Sequence, residues 1–144
     1  MSVIYLDTSA LLRACLTGAP DHVAALALLA TPPVDLVSSE LLWLEADRAA
    51  IRLAGEDTAL AELPQVVTRA LARVAMMPLD HYIVDAARRI PQTVKSLDAI
   101  HIASAESLRE SLDCVVTYDK RMAAVLAARG VSARTAAQVR PGNE

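Results

Sequence analysis

SVIYLDTSALLR, residues 2–13, decides how this chain folds. Val3 to Leu6 are apolar and favour extended backbone, the make-up of a short strand buried on both faces. Asp7, Thr8 and Ser9 break the run with helix-entry side chains, and the residues after them suit a helix. Thr8 or Ser9 is expected to cap that helix, which runs to about Leu16. A buried strand turning at once into a helix is the first half of a βαβ unit.

The same alternation continues downstream. Pro20 suits the first turn of a second helix, which ends near Ala30, before Pro32 and Pro33. Asp35 to Val37 reads as a second strand, with Ser38 or Ser39 capping a long helix that closes at Gly55. Glu56 to Val74 is expected to be helical with a break at Pro64, and Met76 to Leu79 to form an edge strand that tolerates Pro78. Asp80 caps a helix to about Arg89, and residues 91–95 form a loop. Ser96 caps a helix to about Arg109, and Cys114 to Thr117 is a buried strand. Asp119 opens a helix closed by Gly130, and Val131 to Ala133 adds a last strand. Strands alternating with helices imply an α/β fold: a parallel sheet of four to five strands covered on both faces. Residues 1–144 are expected to form one domain, with the closing RPGNE as a loose tail.

Composition narrows the function. More than half of the chain is apolar, yet it has no Phe and one Trp, Trp43, expected in the core or at an interface. Such a chain folds rather than staying disordered. Its longest apolar run, Val23 to Ala30, is too short to span a bilayer. No basic region precedes the first apolar stretch, which argues against a signal peptide and for a cytoplasmic protein without a membrane. A net charge of −3 lacks the basic footprint of a duplex binder. Cys15 and Cys114 have no metal-ligand spacing and read as small buried apolar residues. The apolar excess predicts an exposed patch, hence a homodimer or a protein partner.

Four acids stand out by position. Asp7 follows the first strand and Asp119 follows CVVT by two residues. Asp98 lies in the first turn of its helix, and Glu45 within the helix after the second strand. In an open parallel sheet, ligands bind beyond the carboxyl ends of the strands. Glu45, Asp98 and Asp119 each have an ordinary reading as a cap or a helix pair; Asp7 is the exception, because Thr8 and Ser9 beside it already supply cap oxygens. Together, two like charges about 4 Å apart repel by roughly 4 kcal/mol at an effective dielectric near 20. Four gathered carboxylates therefore raise their pKa values or recruit a cation. With no thiolate or His pair beside them, that ion is hard, Mg²⁺ or Mn²⁺, which points to phosphate chemistry.

Three segments carry a family likeness: YLDTSALLR (5–13), SLDAIHIASA (96–105) and VVTYDKRM (115–122). Together they resemble the PIN-domain ribonucleases, and within them the VapC-type toxins of type II toxin–antitoxin systems, over essentially the whole chain. The resemblance implies a three-layer α/β/α PIN-like domain and a Mg²⁺-dependent endoribonuclease that leaves a 5′-phosphate and a 3′-hydroxyl. It implies that Asp7 and Asp98 hold the metal, and that Glu45 and Asp119 complete the catalytic set directly or through water. The second acid fits Glu45, followed by Arg48 and Ala49, with Glu40 as the rival. Ser9 and Thr117 are candidate supporting hydroxyls. Arg48, Arg52, Lys120 and Arg121 are candidate contacts to the RNA backbone. His101, one turn beyond Asp98, is expected to be a packed, hydrogen-bonded residue.

The resemblance further implies a small antitoxin whose basic residue enters the acidic pocket in place of the cation, and a homodimer. Two other readings compete. A catalytically silent PIN-like binding module would keep the fold without metal affinity. A receiver-type Mg²⁺-binding signalling domain would need paired acids and a lysine after the last strand, which have no matching positions here.

Overall fold

The computed structural model describes residues 2–139. Five strands, β1 (Val3–Leu6), β2 (Asp35–Ser39), β3 (Ala75–Met77), β4 (Leu112–Val116) and β5 (Ala133–Arg134), form one sheet in the order β3-β2-β1-β4-β5. Every pairing is parallel. From β1 the chain builds outward through β2 to β3, then returns to place β4 on the other side of β1. The sheet therefore changes direction between β1 and β4, and the crevice beyond their carboxyl ends is the switch point of this topology.

Seven α-helices accompany the strands among the described residues: α1 (Thr8–Cys15), α2 (His22–Ala30), α3 (Leu41–Glu56), α4 (Leu63–Leu71), α5 (His81–Ala87), α6 (Ser96–Ser107) and α7 (Lys120–Ala128). Alternating strand residues divide the core in two, because successive side chains leave opposite faces of a strand. Ile4 and Leu6 of β1, with Cys114 and Val116 of β4, pack against buried residues of α1 to α4. Tyr5 and Val115 face the other way, onto Ile102 and Ala105 of α6 and Met122 and Leu126 of α7. The result is the three-layer α/β/α arrangement that the alternation and the resemblance imply.

Local chemistry corrects several boundaries. Asp7, not Thr8 or Ser9, is the N-cap of α1, and its carboxylate accepts from the Ala10 amide. Pro20 lies before α2, whose N-cap Asp21 takes a left-handed φ of 66°. Ser38 and Ser39 extend β2 rather than capping α3, where Glu40 holds the cap position without a side-chain bond to the amides of the helix. Gly55 stays inside α3, which ends at Glu56. The expected helix over 56–74 divides into a 3₁₀ turn (Thr58–Leu60) and α4, with Pro64 in the first turn of α4. Lys95, not Ser96, is the N-cap of α6. Asp80, Asp119 and Gly130 play their expected parts, Gly130 at a φ of 79°. Trp43 is 61% exposed and no part of the core. Both cysteines are free and buried, and burial pushes the Cys15 thiol up to about 11. The RPGNE segment lies outside the described residues.

Candidate active site

Asp7 sits where β1 becomes α1 and is 3% exposed. Its Oδ1 accepts from Ser9 Oγ at 2.7 Å and from the Ala10 amide at 2.9 Å, and its Oδ2 accepts from Thr117 Oγ1 at 2.5 Å. Burial pushes the carboxyl up. The Thr117, Ser9 and Ala10 bonds oppose that shift without cancelling it. Ser9 and Thr117 also tie the next strand end in place: Ser9 Oγ accepts from the Tyr118 amide and Thr117 Oγ1 from the Asp119 amide. The two hydroxyls singled out in the sequence thus clamp β1 and β4 together at the switch point.

Asp119 caps α7 through Oδ1, which accepts from the Arg121 and Met122 amides. The ordinary capping role is real, and among the described residues Oδ2 has no hydrogen-bond partner. Asp98 stands in the first turn of α6. Burial pushes its carboxyl up first, and repulsion from Asp119, Glu45 and Asp7 pushes it further, against an opposing pull from His101. All three of the other acids therefore act on Asp98. The fold brings the four carboxylates into one electrostatic neighbourhood.

Glu45 reaches this neighbourhood from α3. Its Oε1 accepts from Thr8 Oγ1 at 2.9 Å and is bonded to His101 Nε2 at 2.7 Å. Burial pushes its carboxyl up, but the His101 bond and charge and the Thr8 bond outweigh it, so Glu45 lies below the usual carboxylate range. Glu40 goes elsewhere: its Oε1 accepts from the Leu79 amide at 2.8 Å.

A cleft of about 290 Å³ opens beside Asp98 and Asp119, lined also by Thr93, Val94, Lys95, Lys120 and Arg121. Lys120 and Arg121, the candidate contacts to the RNA backbone, line this cleft with the two acids. Arg48 and Arg52 are exposed on α3 and line no part of this cleft. Neither Lys95 nor Thr93 stands out in the sequence as a site residue, and Thr8 reads there only as a helix cap. Lys95 carried a signal, since it stands three residues before Asp98 at a helix entry. Thr8 carried none beyond its place next to Asp7.

The donor set is all oxygen, the chemistry that suits Mg²⁺ or Mn²⁺ rather than a soft metal. Among the described residues, no three His, Cys, Asp or Glu side chains converge as a ready-made ligand group. A small hard ion that retains waters bridges carboxylates standing apart. Asp7 Oδ1 already accepts two bonds, while Oδ2, with one, keeps acceptor capacity. The residues fit a hydrated divalent cation on these grounds.

The PIN domain family matches the chain over residues 4–127. This chain belongs to it. Ribonuclease VapC46 of Mycobacterium tuberculosis (strain H37Rv) is 33% identical over 123 residues, covering 85% of this chain and 88% of the relative. Ribonuclease VapC47 of Mycobacterium tuberculosis (strain CDC 1551) is 32% identical over 139 residues, covering 83% and 87%. The crystal structure of Mycobacterium tuberculosis VapC20, a sarcin–ricin-loop-cleaving toxin, shares the fold with a TM-score of 0.67 at 19% identity, over 96% of this chain and 99% of that one. The PIN domain described here is thus of the VapC type, with its motif acids at the switch point of the sheet.

Proposed function

We propose that this PIN domain is a metal-dependent endoribonuclease, the toxin of a toxin–antitoxin pair. The observation that carries the reading is the electrostatic coupling of Asp98 to Asp119, Glu45 and Asp7 at the carboxyl edge of the sheet. Kinship with two proteins named ribonucleases supports the reaction class.

In this reading Asp7 and Asp98 hold a Mg²⁺ or Mn²⁺ ion, with Glu45 and Asp119 completing the set through ligation or bound water. When bound, the ion supplies charge neutralisation for the phosphate and a lowered pKa for the attacking water. Thr117 and Ser9 keep Asp7 oriented by donating to its two oxygens. Thr8 and His101 orient Glu45 through Oε1 alone, and the Arg121 and Met122 amides orient Asp119 through Oδ1 alone. Lys95, Lys120 and Arg121 attract the RNA backbone towards the acids, opposing the repulsion that a bare carboxylate cluster exerts on phosphate. Arg48 and Arg52 extend this attraction along α3. Hydrolysis leaves a 5′-phosphate and a 3′-hydroxyl.

The acidic cleft and the exposed apolar side chains suit a small antitoxin that covers the helices and inserts a basic residue among the acids. We place the protein in the cytoplasm as a single domain and a homodimer. Among the described residues, no helix is long and apolar enough to cross a membrane. Incubation of total RNA with the wild type, Asp7→Asn and Asp98→Asn proteins, each with Mg²⁺ and with a chelator, tests the activity. Cleavage by the wild type with Mg²⁺ alone is expected. Equal cleavage by Asp7→Asn, or undiminished cleavage in chelator, ends the proposal. A wild type that neither binds the metal nor cleaves any RNA would favour the silent module instead.

A further inference from the structure

His101 is 2% exposed and lies on α6, in the layer opposite the helix that carries Glu45. Its Nδ1 is 2.6 Å from the Tyr5 hydroxyl and its Nε2 is 2.7 Å from Glu45 Oε1. Tyr5 is fully buried in the sheet, and its oxygen accepts from the Ser39 amide at 3.1 Å. A continuous chain therefore runs from β2 through Tyr5 and His101 to Glu45, joining the two helical layers over the carboxyl edge of the sheet.

Donor and acceptor matching sets the ring. An ionised Glu45 only accepts, so the hydrogen between it and His101 belongs to Nε2. Tyr5 then faces Nδ1. Two donors, Thr8 Oγ1 and His101 Nε2, converge on Glu45 Oε1, and among the described residues Oε2 has no hydrogen-bond partner. A Glu side chain free to rotate gives up substantial rotamer entropy when it is fixed. Two bonds to the same oxygen fix it beforehand and leave the second oxygen for a ligand. Partners of this kind behind a metal site orient the carboxylate and the ring together.

The geometry points to His101, backed by Tyr5, as a positioning residue that holds Glu45 in place within the acid cluster. This rests on the nuclease reading for its consequence in catalysis, but not for the bond itself. His101 touches neither substrate nor reacting atoms in this account.

The test has two arms. Imidazole ¹⁵N spectra of the metal-free wild type near neutral pH, with the His101 signals assigned by their loss in His101→Gln, are expected to show the hydrogen on Nε2. A ring protonated on Nδ1 alone would overturn the proposal. In the kinetic arm, His101→Leu is expected to lower kcat for RNA cleavage about 10- to 100-fold with KM nearly unchanged. His101→Gln, which retains a donor near the Nε2 position, should recover most of the loss, and Tyr5→Phe should lower kcat less than His101→Leu. A Gln variant as impaired as Leu, or a Tyr5→Phe effect confined to KM, would overturn it. If the wild type cleaves no RNA, the nuclease reading falls by itself. The positioning role is then decided by the nitrogen spectra and by Mg²⁺ titration, where His101→Leu but not His101→Gln should weaken binding.

Discussion

The hydroxyl of Thr117 donates to Asp7 Oδ2, joining residues 110 positions apart across the ends of two adjacent parallel strands. Asp7 is nearly inaccessible to water, so this donor matters more than one at a surface would. Thr117→Val removes it with little change of shape and also strips the Asp119 amide of its acceptor. We expect a loss of about 1–3 kcal/mol in urea denaturation and weaker metal binding, as the Asp7 carboxyl rises further. A Thr117→Val protein as stable as the wild type would show that the bond contributes nothing.

Glu40 and Glu45 separate cleanly. Gln at position 40 still offers a carbonyl oxygen to the Leu79 amide, so Glu40→Gln should leave RNA cleavage within about twofold of the wild type, a surface-like effect. Glu45→Gln removes a charge coupled to Asp98 and should lower cleavage by roughly tenfold or more. Cleavage assays on the two variants side by side decide the matter, and a larger defect in Glu40→Gln would move the second acid of the site to position 40.

Acid pH should weaken metal binding early. Asp7 and Asp98 have raised folded-state pKa values, by burial first and, for Asp98, by repulsion from the other acids. The fold favours their protonated forms. Their contribution to stability is therefore fullest below the unfolded pKa and is lost as pH rises through the folded one. Glu45 is depressed, so its contribution is present above its unfolded pKa and lost as pH falls through the folded one. A bound dication reverses the penalty on the raised pair. At a Mg²⁺ concentration a hundred times Kd, the protein should gain about 2.7 kcal/mol at pH 7.5. The gain should shrink as pH falls from neutrality through the raised titration range of Asp7 and Asp98, as protons displace the ion. Melting curves with and without Mg²⁺ read this directly, and a Mg²⁺ shift that does not change across that window contradicts it.

The cations at the cleft should act as backbone contacts. Replacing Lys95, Lys120 or Arg121 by Ala is expected to weaken binding of a single-stranded RNA to catalytically silent Asp7→Asn protein. Each replacement should flatten the plot of log affinity against log salt by about 0.7. Arg48→Ala and Arg52→Ala should do less, since neither residue lines the cleft. Filter binding over a salt series distinguishes the two groups, and identical slopes for all five variants would remove the cleft residues from the substrate path.

Trp43, Leu44 and Ile51 lie exposed on α3, on the flank next to the buried Leu42, Ala46 and Ala50. Large apolar side chains gathered this way mark an association surface. If the homodimer forms there, Trp43→Ala should weaken it by about 2 kcal/mol or more, seen as dissociation in sedimentation equilibrium with an unchanged circular dichroism spectrum. A wild type that sediments as a monomer at every concentration excludes the dimer.

The order of strands and helices was legible because it depends on local pattern. SVIYL and CVVT are apolar runs bounded by polar residues, and Gly130 is a helix stop wherever it follows one. Boundaries slipped where two local options were close in energy. Ser38 and Ser39 have cap chemistry, yet pairing with Met76 and Met77 of β3 kept them in the strand. Asp7 seemed free to serve a ligand because Thr8 and Ser9 offered cap oxygens, but it caps α1 while also accepting from Ser9 and Thr117. Lys95 and Thr93 escaped notice because their importance comes from lying across from Asp119, a neighbour distant in sequence.

By itself the sequence determined the alternation of strands and helices, the family, and which acids had to be weighed together. Period, turn chemistry and motif spacing are properties of neighbouring residues. Only the tertiary structure decided that Asp98 is repelled by Asp119, Glu45 and Asp7, that Glu40 turns away to Leu79, and that His101 bridges Tyr5 and Glu45. Charge repulsion and hydrogen bonding act over a few ångströms, and the reversal of strand order between β1 and β4 is what brings residues dozens of positions apart within that reach.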